Sequence, residues 1–186
     1  MADVFLSEPG WRIRGITRDP TKSAAQSLSA KGIEMVQADL DEPSTLQNAF
    51  QGANAIYAVT DFWQPFFNPS TKAKLKPGQI MNEFCHDLEM QQGKNLADAA
   101  ANVETLERYV YSSLTNFKKW SKGKYTWVYH FDGKAKVVDY IKESLPGLAA
   151  KMSVVQIGLY ATHWQAAPLL APQKVNALHR RKACGY

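Results

Sequence analysis

The sequence predicts an α/β fold, a parallel, doubly wound, Rossmann-like sheet, on three observations. Strand-like and helix-like segments alternate roughly every 20 to 30 residues along the chain. Strand segments such as 53–60 are apolar runs rather than apolar–polar alternations, as expected where helices cover both faces of a sheet. Residues able to do chemistry follow the strands, at the edge where such sheets bind ligands.

The elements follow in order. Residues 11–18 alternate and carry β-branched side chains, so they read as a strand. Asp19-Pro20-Thr21 signals a helix start, and 22–30 has helical Ala and Leu spacing. Gly32 suits the helix end, and 33–40 reads as a second strand. Asp41-Glu42-Pro43-Ser44 opens a helix over 45–50 that stops at Gly52. A buried strand is expected over 53–60, then an aromatic loop over 61–67 and a polar Pro/Gly/Lys stretch to Gly78. A long helix over 80–102, a strand over 108–113, a helix over 127–145 and a final strand over 152–160 complete the pattern. Right-handed crossovers between such strands give the doubly wound arrangement. No repeat or low-complexity segment interrupts it.

Composition narrows the function classes. The chain has 186 residues, 45% hydrophobic and 21% charged, which suits one globular domain and excludes a disordered, collagen-like or disulfide-dense chain. No run approaches the roughly 18 apolar residues of a membrane span, and the N-terminus lacks a secretory pattern. Few cysteines and no signal fit the cytosol. The net charge is +5, but Lys174, Arg180, Arg181 and Lys182 sit in a stretch without acids, leaving about +1 elsewhere. Residues 1–173 therefore read as one domain and 174–186 as a basic tail. The tail leaves a nuclear location open, but no helix-turn-helix, zinc finger or basic-aromatic pattern points to nucleic acid. Cys85 and Cys184 make no ligand spacing with the histidines, so no metal site is expected.

The residues after the strands mark the candidate site. Thr17 and Arg18 follow the first strand, and Asp39 and Leu40 end the second. Thr60, Asp61, Phe62 and Trp63 follow the third, Ser112 and Ser113 end the fourth, and Tyr160 ends the last. Alone, each could merely cap a turn; five sets at one sheet edge point to a pocket. His130 and Lys134 are four apart on a helix, which places them on one face and turns Tyr129 away.

Thr17-Arg18-Asp19-Pro20-Thr21-Lys22, Gln37-Ala38-Asp39-Leu40-Asp41 and Val59-Thr60-Asp61-Phe62-Trp63 resemble the NmrA-like, atypical short-chain dehydrogenase family. So do Tyr111-Ser112-Ser113-Leu114 and, most specifically, His130-Phe131-Asp132-Gly133-Lys134-Ala135-Lys136-Val137. The resemblance implies a Rossmann protein that binds NADP(H). Arg18 and Lys22 would neutralise the 2′-phosphate, which a guanidinium fork and a lysine suit chemically. Asp39 and Leu40 would flank adenine, and Thr60 to Trp63 would run beside the nicotinamide. Lys134, His130 and Ser113 would serve catalysis, with histidine standing where related dehydrogenases carry the tyrosine of Tyr-x-x-x-Lys. Equally, Lys134 would only hold ribose and His130 only pack. Tyr160 and the aromatic segment would wall an apolar pocket.

The sequence also departs from that pattern. None of its 11 glycines forms the G-x-x-G-x-x-G turn that lets backbone approach a pyrophosphate. Residues 1–9 resemble the end of the helix after that turn, so the opening strand and phosphate loop are expected to be missing, with the C-terminal substrate region shortened. Two strands would then have unpaired edges, and a homo-oligomer completing the sheet is expected. Three functions remain open: an NADP-linked oxidoreductase on a small apolar carbonyl or imine, a non-catalytic NADP(H) sensor or transcriptional co-regulator, and a cofactor-independent cyclase or isomerase.

Overall fold

A computed structural model describes residues 2–158. After α1 (Ala2–Leu6) comes β1 (Arg14–Thr17), the central part of the strand expected over 11–18. The carboxylate of Asp19 then accepts from the backbone N–H and hydroxyl of Thr21, at 2.9 and 2.6 Å, and turns the chain into α2 (Ser23–Ser29). Gly32, at φ +93°, closes α2 in a left-handed conformation that favours glycine. β2 (Glu34–Gln37), α3 (Pro43–Phe50) and β3 (Ala55–Ala58) follow as expected, with each strand shortened at its ends.

The aromatic segment expected as a loop over 61–67 is instead a short helix, α4 (Trp63–Phe67), followed by a 3₁₀ turn over Pro69–Lys74. The Asp61 carboxylate accepts from the N–H groups of Trp63 and Gln64, and Pro65 lies in the first turn, where a missing N–H costs nothing. α5 (Met81–Ala101), β4 (Arg108–Ser113) and the small α6 (Phe117–Trp120) come next. The helix expected over 127–145 is α7 (Tyr129–Ser144). Pro146 then starts a separate helix, α8 (Pro146–Lys151), because proline cannot continue α7. β5 runs Met152–Gln156, and the rest of the strand expected to 160, with Tyr160 and the basic tail, lies outside the described residues.

Every pairing is parallel, as predicted, but the sheet comes in two parts. β1 pairs with β2 from Arg14↔Glu34 to Thr17↔Gln37. β4 lies between β3 and β5, pairing Ile56↔Tyr109 on one side and Tyr111↔Val154 on the other. Among the described residues, β1 and β3 each keep one edge without a strand partner.

α5 and α7 pack together on one face of the three-stranded part, where Tyr109, Tyr111, Val137 and Ile141 are fully buried. The opposite face is more open: Tyr57 is 40% exposed and, just past β3, Val59 is 53% exposed. In the three-stranded part the described residues thus bury one face more deeply than the other, while β2 is packed by both α2 and α3. No described helix is long and apolar enough to cross a membrane.

Candidate functional site

The site is built around α7. Its first turns present His130 and Lys134 on the same side, as the four-residue spacing predicts. The Lys134 ammonium reaches the end of β3, donating to the Thr60 carbonyl at 2.7 Å and the Thr60 hydroxyl at 2.8 Å. Its third bond goes to Glu89 of α5, at 2.6 Å. Thr60 also donates to the same Glu89 oxygen at 2.9 Å. An ammonium has three N–H groups, so all the donors of Lys134 are engaged within the protein.

Glu89 is the residue that sequence reasoning missed. It is fully buried, Lys134 is 12% exposed, and their pair is an ion bridge inside the fold. One Glu89 oxygen takes both Lys134 and Thr60, while the other, Oε2, and the buried Tyr111 hydroxyl have no hydrogen-bond partner. Burial drives the Tyr111 phenol well above its ordinary pKa, keeping it neutral. A signal existed: Cys85, Glu89, Gly93, Leu96 and Ala100 recur at helical spacing on the buried stripe of α5. A carboxylate in that stripe stands at a core position.

His130 sits among rings rather than polar groups. Its imidazole is 5.1 Å from Trp63, 5.6 Å from Phe62 and 4.7 Å from Phe131, between centroids. Burial, then the nearby Lys134 charge, lowers its pKa, with Asp132 opposing, so the ring is neutral near pH 7. Phe62 is buried and Trp63 half-exposed, which makes an aromatic wall at the end of β3. Ser113 is buried at the end of β4; its hydroxyl lies 3.4 Å from the Leu114 carbonyl and makes no bond to His130 or Lys134. Tyr129, expected to face away, does so. It meets His86 edge-on at 6.1 Å and lines a cavity of about 270 Å³ with Lys118, Lys119 and Lys136.

A second group lies after β1 and β2. The Thr17 hydroxyl accepts from the Asp19 N–H at 3.3 Å, which shapes the turn. Arg18 and Lys22 are exposed, and among the described residues neither forms an ion pair. The Asp39 carboxylate accepts from the Asp41 N–H at 3.0 Å, and Leu40 packs against the core. Helix α5 ties both groups together. Asn95 donates to the Leu40 carbonyl at 2.8 Å, Gln92 to Asp41 at 2.9 Å, and Glu89 holds Thr60 and Lys134. The structure therefore brings Thr60, Phe62, Trp63, His130 and Lys134 into one cluster, and keeps Thr17, Arg18, Lys22, Asp39 and Leu40 as another. Exposed Asp61 caps α4.

These residues meet the needs of a nicotinamide dinucleotide in part. Two uncommitted cations after β1 suit a 2′-phosphate. The engaged ammonium of Lys134 has no free donor for a ribose hydroxyl in this state, and the sequence supplies no glycine-rich turn for the pyrophosphate.

Parallel strands with hydroxyls, a lysine and aromatic rings gathered past their carboxyl ends define a Rossmann-like α/β protein. The NmrA-like family model matches residues 2–175, and the chain belongs to that family. Among curated proteins it is 29% identical over 147 residues to the NmrA-like family domain-containing oxidoreductase notA of Aspergillus sp., covering 77% of this chain and 38% of the relative. The oxidoreductase ptmS of Penicillium ochrochloron is 31% identical over 144 residues, 76% of this chain and 37% of the relative. The chain thus spans well under half the length of these relatives. Among solved structures, NmrA, a negative transcriptional regulator, superposes with a TM-score of 0.62 at 22% identity, covering 87% of this chain and 42% of that one. A triphenylmethane reductase of Citrobacter sp. complexed with NADP(H) gives 0.59 at 16% identity, covering 87% and 46%. Both likenesses show the shared fold.

Proposed function

We propose that this chain is the dinucleotide-binding part of an NADP(H)-linked oxidoreductase acting on a small apolar carbonyl or imine. The observation that carries the reading is the cluster past β3, where Lys134 and neutral His130 stand beside Thr60 and an aromatic wall. When bound, the cofactor would supply a hydride. Arg18 and Lys22 would take its 2′-phosphate, Asp39 and Leu40 would flank adenine, and Thr60, Asp61, Phe62 and Trp63 would line the nicotinamide side. The neutral His130 ring would accept the substrate proton at an imidazole nitrogen in the oxidising direction, and the imidazolium so formed would return it in the reducing direction. Ser113, at the end of β4, would stand beside the pocket. The oxidoreductase relatives and the reductase neighbour solved with NADP(H) support this reading. In its cytosolic setting, a second copy of the chain would pair with the open edges of β1 and β3.

The test is a titration of NADPH and NADH against the protein and Arg18→Ala, by calorimetry or cofactor fluorescence. Binding of NADPH tighter than about millimolar, weakened about tenfold by Arg18→Ala, is the expected result. No binding of either cofactor overturns the reading. A regulatory, non-catalytic role is favoured by one specific observation, that every donor of Lys134 is engaged within the protein. It predicts NADPH binding without turnover of any carbonyl or imine offered.

A further inference from the structure

We propose that Glu89 is the positioning residue of Lys134: it anchors the ammonium past β3 while a Thr60 bond is exchanged for a bound ligand. The proposal rests on reading Lys134 as a ligand-binding group. Lys134 makes three bonds and has three N–H groups, so any ligand it serves must displace one of them. The three are unequal. Leaving Glu89 would strand a full charge with no exposure to solvent, whereas leaving one Thr60 oxygen gives up a bond to a neutral, though also buried, acceptor. The Thr60 hydroxyl would still donate to Glu89 at 2.9 Å, so that acceptor stays satisfied when the lysine pivots.

The surroundings point the same way. Cys85 on α5 and Tyr111 on β4 feel the Glu89 charge, His130 on α7 feels that of Lys134, and His86 lies with Glu89 beside Gly133. Of these, His86 is taken by Asp87 at 2.9 Å and Lys136 at 3.2 Å. Asp132 accepts from the Lys118 N–H at 3.2 Å, and Asp61 caps α4. Among the described residues, Glu89 is the only carboxylate that bonds Lys134. Gly133, immediately before the lysine, allows the close approach: a Cβ there would lie 3.3 Å from His86 and 3.6 Å from Glu89 Oε2.

Acylation by acetic anhydride, read by peptide mass spectrometry, reports the freedom of the Lys134 amine. Exposed Lys136 on the same helix is the internal reference. In the unaltered protein Lys134 should be acylated more slowly than Lys136. Glu89→Gln should raise the Lys134-to-Lys136 ratio about tenfold, as loss of a charged hydrogen bond implies. Glu89→Asp keeps the charge with a shorter reach and should fall between; it carries the test if Glu89→Gln does not fold. Thr60→Val should raise the ratio less than Glu89→Gln. An unchanged ratio in the Glu89 variants, or a larger effect from Thr60→Val, overturns the proposal. NADPH added to the unaltered protein separates the two ideas. If it leaves Lys134 acylation unchanged, the ligand-binding reading of Lys134 fails, while the anchoring by Glu89 is decided by the variants alone.

Discussion

Gly93 decides how closely α5 and α7 approach, and replacing it with alanine sets two effects against each other. Alanine is the better helix former by about 1 kcal/mol, so a free helix would gain. Here, however, an added Cβ would lie 2.5 Å from Val137 Cγ2, 3.0 Å from Val137 Cγ1 and 3.0 Å from the Tyr111 hydroxyl. Neither neighbour can give way easily, because Val137 and Tyr111 are both fully buried. Such overpacking costs about 1–3 kcal/mol and occasionally more, and a 2.5 Å contact belongs at the upper end. The net expectation for Gly93→Ala is a loss of about 1–2 kcal/mol, or roughly 2–8 °C in melting temperature for a chain of this size. Gly147 provides the control, since a Cβ there meets nothing within 4 Å and α8 would gain from it. Gly147→Ala should therefore be neutral to stabilising by up to about 1 kcal/mol. Thermal unfolding followed by circular dichroism measures both. A Gly93→Ala protein that melts at or above the unaltered one would refute the packing argument.

Lys134→Met should destabilise by roughly 3–5 kcal/mol by leaving the buried Glu89 carboxylate unpaired, and adding Glu89→Gln should recover much of that in urea unfolding. Tyr111→Phe removes a buried hydroxyl that has no partner, so chemical denaturation should find it neutral or slightly more stable. His130 has a lowered pKa in the folded state, so the unfolded chain binds the proton more readily. Its contribution is present above the unfolded value near 6.5 and is lost as pH falls through the lower folded value. Stability measured from pH 7.5 downward should decline below about 6.5, and His130→Phe should flatten that part of the curve. Arg14→Ala removes two bonds to the carbonyls of Ala49 and Gln51, at 2.8 and 2.9 Å, and should cost about 1–2 kcal/mol.

Much of the fold is legible in local signals. The strand over 108–113 has the expected bounds because tyrosine, valine and serine alternate there beside a helix that ends on small residues. The aromatic segment misleads because two consecutive signals conflict: Pro65 and the bulky rings suggest a loop, whereas the Asp61 cap and proline in a first turn permit a helix. The end of α7 is legible in Pro146, but the short α8 that the proline starts is not expected between the helix over 127–145 and the strand from 152.

The candidate site divides in the same way. Sequence by itself determined the parallel α/β class, the shared face of His130 and Lys134, and the cations after β1, because these depend on periodicity and on distances of a few residues. Only tertiary structure decided what Lys134 touches. Glu89 lies 45 residues away in sequence, where the spacing of α5 marks it as a core position but does not say which cation it meets. Packing α5 against α7 buries it fully, and a buried carboxylate must find a cation. The split sheet is of the same kind: each strand is locally recognisable, but whether its edge is paired depends on hydrogen bonds to another segment, which no local pattern records.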